Sequence, residues 1–159
     1  LDSTRPVTAG CNEPKSGNHL FRSGTLDVIG YNYHNKDIPH VPANFPDKPF
    51  IITESNSALM TRGYYRMPSD RMFIWPERWD KPFVDSTFAC SSYENCHVPW
   101  GNTHEESLKL VRDNDFISGQ YVWTGFDYIG EPTPYGWPAR SSFFGIVDLA
   151  GFPKDVYYL

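Results

Sequence analysis

One short run constrains this chain more than any other feature. Pro49-Phe50-Ile51-Ile52-Thr53 is apolar and β-branched, and it ends abruptly in Glu54 before the polar Ser55 and Asn56. Proline lacks an N–H and suits the first residue of a strand. An uninterrupted apolar run, rather than an alternating one, predicts a strand covered on both faces, as in a parallel sheet. Glu54 then stands at the C-terminal end of that strand. Strands commonly end in polar residues, so a structural role, meeting a loop donor or water, stands beside a chemical one.

The remaining periodicity fits the same architecture. Strands are predicted at 7–11, 26–33 and 117–123, besides 50–54. A short helix over 19–23 ends at Gly24. A clearer helix over 105–114 opens with Thr103 and Glu106 in T-x-x-E spacing, a capping box. Leu108, Leu110 and Val111 supply its apolar face. Strands alternating with helices predict an α/β fold with parallel crossovers. Two segments are long: 58–102, rich in aromatic residues and proline, and 127–140, rich in glycine and proline. The first exceeds an ordinary connection and leaves the end of the strand that carries Glu54, so it is expected to fold over that end. Residues 143–148 are a candidate for a small extra strand.

Composition narrows the function. The net charge is −5, with no Lys/Arg-rich run, which argues against nucleic acid as a partner. No apolar stretch is long enough to span a membrane, and no signal-peptide pattern opens the chain. Aromatic residues make up 16% of the chain, and in loops they build surfaces with an apolar face and polar tips. Such surfaces suit the C–H faces and hydroxyl rims of sugars, although core and loop packing accounts for most of the rings. Cys11 reads as a small buried residue, while Cys90 and Cys96 are close enough in sequence for a disulfide. The C-x5-C-H-x6-H spacing through His97 and His104 matches none of the usual zinc patterns.

Carboxylate chemistry on sugars needs two carboxyl groups flanking the scissile bond. Glu54 is a candidate nucleophile. Glu13, in Asn12-Glu13-Pro14, is the obvious partner, because an Asn-Glu pair at a strand end resembles the acid/base signature of several barrel glycosidases. In those barrels two strands separate the two carboxylates. Here only the strand over 26–33 lies between them, so Glu13 falls one strand too late and reads as a loop carboxylate. Tyr33 and Trp123 end two other strands, and in a parallel barrel those ends share one rim with Glu54.

Several motifs, in order, carry a specific resemblance. Asp2-Ser3-Thr4-Arg5-Pro6-Val7, Asp27-Val28-Ile29-Gly30-Tyr31-Asn32-Tyr33, Pro49 to Glu54, and Gly119-Gln120-Tyr121-Val122-Trp123 resemble the segments of strands five to eight in the catalytic domain of glycoside hydrolase family two. The bacterial β-galactosidases are the nearest members. Asp127-Tyr128-Ile129-Gly130-Glu131-Pro132 and Phe144-Gly145-Ile146-Val147-Asp148 fit as well. The resemblance covers nearly the whole chain. It implies one partial (β/α)8 TIM-barrel domain over 1–159, with strands 5–8 and long βα loops.

It also implies roles: Glu54 as nucleophile, Tyr33 as its hydrogen-bonding neighbour and Trp123 as a sugar contact. No cofactor or metal is needed. The family's acid/base Glu follows an Asn at the end of strand four, which would lie upstream of Leu1. A β-glucuronidase is the weaker match, since the Asn-x-Lys motif is missing after Trp123. Ser57 stands where many members have His.

The expected function is therefore part of a retaining exo-β-glycosidase acting on terminal β-galactosyl residues, with a carbohydrate as substrate and little activity in the isolated chain. The rival reading is a non-catalytic carbohydrate-binding or interaction domain derived from a glycosidase. Four strands cannot close a barrel, so open edges predict self-association or packing against the rest of the parent enzyme. The sequence itself specifies no compartment; a bacterial polysaccharide-degrading enzyme of this kind would work in the periplasm or outside the cell.

Overall fold

The computed structural model describes residues 2–78, 80–81 and 83–159. It is an α/β fold whose residues cluster into two units: Leu1–Ser55 with Ser107–Tyr121, and Asn56–Glu106 with Val122–Leu159.

The first unit is built on a sheet. Strand β1 (Ile29–Asn32) pairs in parallel with β2 (Phe50–Asn56), and β5 (Ile117–Trp123) completes the order β1-β2-β5. These are three of the four strands predicted from sequence. The fourth, at 7–11, is reduced to a parallel bridge between Cys11 and Tyr31. Helix α1 (His19–Arg22) is capped by the Asn18 side chain, which accepts from the Leu20 N–H. The β1–β2 connection carries a 3₁₀ turn (Ile38–His40) and helix α2 (Val41–Asn44). Each has a proline in its first turn, where a missing N–H costs no helical bond.

Phe50 and Ile52 are fully buried, and with Ile29, Tyr31, Ile38 and Val41 they form the core of this unit. The two-sided burial expected of β2 is not seen. Ile51 and Thr53, on the other face, are half-buried, because the core cluster lies on the Phe50–Ile52 side. Gly30 is obligatory, since a Cβ there would stand 2.5 Å from the Ala9 carbonyl oxygen and 2.8 Å from Thr53 Cγ2. Helix α3 (His104–Arg112) contributes Leu110 and Val111 to this core, but Leu108 is 47% exposed and lies off the predicted apolar face.

The second unit has little regular structure. Strands β3 (Phe73–Ile74) and β4 (Cys96–His97) form a two-residue parallel pair. The strand expected over 143–148 is instead a set of single bridges, Phe126 to Val147 and Val147 to Pro153. Leu59, Trp75, Cys90, Cys96, Val98, Tyr135 and Phe144 form its core. Polar groups pin the loops around it. Lys154, 2% exposed, donates to the carbonyls of Met60 (2.9 Å) and Phe143 (3.2 Å) and pairs with Asp127 at 2.7 Å. Arg66 stacks on Trp75, pairs with Asp85 at 2.7 Å and donates to the carbonyls of Ala89 and Cys90.

The predicted capping box forms here. The Thr103 N–H donates to Glu106 Oε2 (2.9 Å), and the Glu106 N–H donates to Thr103 Oγ1 (3.1 Å). Cys90 and Cys96 are free, buried thiols rather than a disulfide. Burial pushes the Cys90 thiol well up and the Cys96 thiol to about 12. No described helix is long and apolar enough to cross a membrane.

Candidate active site

Glu54 sits near the end of β2 and is half-buried. Its placement follows from a register shift. Ile29, Gly30 and Tyr31 pair stepwise with Phe50, Ile51 and Ile52, but Asn32 pairs with Glu54, so Thr53 is the extra residue of a bulge. Without the bulge, Asn32 would face Thr53. With it, Asn32 Nδ2 reaches Glu54 Oε1 at 3.3 Å, and Thr53 Oγ1 donates to Asn32 Oδ1 at 2.7 Å. Asn32 and Thr53 were not singled out as site residues from the sequence. Strand periodicity assigns faces only while the pairing stays in step, and a one-residue bulge leaves no compositional trace here.

Tyr33 follows β1 in a left-handed conformation, φ 58°, and donates its backbone N–H to the Glu54 carbonyl at 2.6 Å. The fold thus brings Tyr33 and Glu54 together through the main chain. His34, also at positive φ, holds the Asn12 carbonyl through Nε2 at 2.6 Å. The Tyr31 hydroxyl donates to the Pro14 carbonyl at 2.7 Å, and burial raises this phenol to about 12. The Asn12-Glu13-Pro14 segment is therefore a tether between a loop and β1. Glu13 itself is exposed and lies 3.5 Å from Lys15 Nζ, as a loop carboxylate does.

Trp123, the last residue of β5, belongs to the second unit. It is half-buried, and its ring meets Tyr128 edge-on at 5.9 Å. The Tyr128 hydroxyl is in turn bonded to Glu131 Oε2. Burial, reinforced by that carboxylate, pushes the phenol of Tyr128 above its ordinary value. The Trp123 carbonyl accepts the N–H of Ser57 at 3.3 Å, and Ser57 is buried at positive φ. The residue three positions after Glu54 is thereby tied to the strand end that carries Trp123.

Each histidine of the C-x5-C-H-x6-H spacing has one ring nitrogen engaged. His104 Nδ1 is bonded to Glu94, and His97 Nδ1 lies 2.6 Å from the Val98 carbonyl. No group of three or more metal-binding side chains occurs among the described residues.

No family model matches the chain. It is 95% identical over all 159 residues to a β-galactosidase of Bacteroides ovatus, of which it spans 19%. A β-glycosidase from Bacteroides vulgatus of known crystal structure is 29% identical. It superposes with a TM-score of 0.75 over 99% of this chain and 21% of its own. A family two β-galacturonidase from Eisenbergiella tayi, 20% identical, shares the fold at a TM-score of 0.64 over 97% of this chain and 26% of its own. The chain thus spans about a fifth to a quarter of the length of these proteins. A half-buried carboxylate near the end of a parallel strand, on a chain that matches part of the Bacteroides ovatus family two β-galactosidase at 95% identity over its whole length, leads to one assignment: the chain belongs to glycoside hydrolase family two.

Proposed function

We propose that this chain is the nucleophile-bearing part of a retaining exo-β-glycosidase, a β-galactosidase, and forms strands five to eight of its (β/α)8 barrel. Both units belong to that one domain, the second being loop-built. The observation that carries the reading is the position of Glu54: near a strand end, half-buried, and paired by a bulge with Asn32, whose amide it meets. The Bacteroides ovatus β-galactosidase, so close in sequence, supports galactose as the sugar.

In this mechanism Glu54 attacks the anomeric carbon and displaces the leaving group, forming a covalent glycosyl-enzyme. A second carboxylic acid protonates the departing oxygen, then removes a proton from the water that releases the sugar. We assign that role to a Glu outside residues 1–159; the exposure of Glu13 beside Lys15 supports this reading. Tyr33 donates a hydrogen bond to Glu54, and Trp123 stacks against the sugar face. The open edges of a four-strand part of the barrel would pack against other segments of the enzyme or a second copy.

The test uses a full-length enzyme: the Bacteroides ovatus relative with this segment exchanged for its own. Treatment with a 2-fluoro-galactosyl inactivator followed by peptide mapping is expected to label Glu54, and Glu54→Gln to lower kcat by about 10⁴-fold or more. Label on another residue overturns the nucleophile assignment. Galactoside binding with no label and no turnover points instead to a binding module.

A further inference from the structure

We propose that Asn32 is a positioning residue for the Glu54 carboxylate and that Thr53 sets the orientation of its amide. The inference rests on the reading of Glu54 as the nucleophile and adds two residues to its support. Three observations within the first unit carry it. The register shift pairs Asn32 with Glu54 rather than with Thr53, so the bulge exists at the one place where it changes what the carboxylate meets. The bulged residue is not idle, because its hydroxyl donates to Asn32 Oδ1 at 2.7 Å. The Asn32 amide nitrogen in turn faces Glu54 Oε1 at 3.3 Å.

The hydrogen-bonding inventory makes the orientation unique. An ionised carboxylate only accepts, so the amide must present Nδ2 to Glu54. That leaves Oδ1 for a donor, and Thr53 supplies one from the next residue along β2. The flipped amide would set Oδ1 against the carboxylate, two acceptors face to face. Space for this arrangement comes from Gly10. A Cβ there would stand 2.8 Å from Asn32 Oδ1 and 3.3 Å from Thr53 Oγ1. The backbone closes the same set, with the Tyr33 N–H on the Glu54 carbonyl at 2.6 Å. Side chain and main chain of Glu54 are therefore each held by consecutive residues at the end of β1. A nucleophile must meet the anomeric carbon within a narrow geometry, and a misplacement of about 1 Å can cost about 10²-fold in rate.

The experiment uses the full-length exchanged enzyme described above, with Asn32→Ala, Asn32→Asp, Thr53→Val and Thr53→Ser. Three measurements are made on each: kcat and KM separately, the rate of inactivation by the 2-fluoro sugar, and the thermal midpoint. Asn32→Ala is expected to slow inactivation and to lower kcat by up to about 10²-fold while KM changes little. Asn32→Asp keeps the shape but sets a second acceptor against Glu54, and loses more. Thr53→Val reproduces a smaller part of the loss, while Thr53→Ser, which keeps the hydroxyl, restores it.

Labelling of Glu54 with undiminished kcat and undiminished trapping in Asn32→Ala and Asn32→Asp overturns this inference alone. Equal behaviour of Thr53→Val and Thr53→Ser, with only the thermal midpoint lowered, overturns the role of Thr53. Label on a different residue overturns the nucleophile reading and this inference with it.

Discussion

In the first unit, Phe50 and Ile52 are held by a strand ladder, with Tyr31 crossing Phe50 edge-on at 5.1 Å. In the second, Leu59, Cys90 and Phe144 are just as buried, yet hardly any ladder surrounds them. There the main chain is satisfied one group at a time: Leu59 N–H on the Cys96 carbonyl, Met60 N–H on that of Phe143, and Lys154 on the Met60 carbonyl and, as a second donor, on that of Phe143. Buried backbone polar groups need partners whatever the architecture. A sheet satisfies them in series. An irregular region does so with individually placed polar side chains, each of which becomes a point of failure. The unit with the ladder holds Glu54 in a preset register, and the loop-built unit holds Trp123 half-buried against its core.

The contrast is testable, starting where the effect should be largest. Replacing Lys154 by Met leaves Asp127 buried without its counter-ion and strips the Met60 and Phe143 carbonyls of a donor. A loss of about 4 kcal/mol is expected, measured by denaturant unfolding. Hydrogen exchange should rise around residues 60 and 143–147 first, and an equal rise across β1 and β2 would break the distinction between the units. Ile52→Ala is the matching probe of the ladder-built core. It should cost about 3 kcal/mol and raise exchange in β1 and β2 before the second unit responds.

Thr103→Ala removes one arm of the capping box and should cost about 1 kcal/mol. The faster exchange it causes should stay within the first turn of α3; an unchanged melt would show that Glu106 alone suffices. The smallest effect concerns pH. Bonds from Thr87, then the Arg66 guanidinium, hold the Asp85 carboxyl below its ordinary value of 3.8. With its folded value lowered, Asp85 contributes stability that is complete above 3.8 and lost as the pH falls through the folded value. Asp85→Asn should therefore flatten the dependence of the thermal midpoint on pH below about 3.8 while lowering that midpoint at neutral pH. An unchanged acid slope would remove Asp85 from the pinning of the second unit.

How far the molecule could be read beforehand follows the same division. The 49–54 run, the parallel α/β character and the Thr103–Glu106 box are local patterns, and each appears where periodicity or capping chemistry put it. The strand expected over 7–11 is reduced to a bridge because its backbone bonds to 27–32 fall at Val7 and Cys11 alone, too few and too far apart for a ladder. Leu108 was misassigned because helical spacing identifies a stripe but not how much of it a neighbour covers. Nothing local announces the pinning by Lys154, since its carbonyl partners lie 94 and 11 residues away along the chain.

The candidate site shows the boundary most sharply. Sequence alone determined that a carboxylate closes the apolar run of a parallel strand, because that run is written in the order of residues; the strand itself continues to Asn56. Only the tertiary structure decided what that carboxylate meets. The bulge at Thr53 is a property of two paired strands, and the pairing turns Asn32 toward Glu54 and leaves Glu13 out in a loop beside Lys15. Which side chains face each other across a sheet depends on register, and register is set by contacts that the order of residues in one strand does not contain.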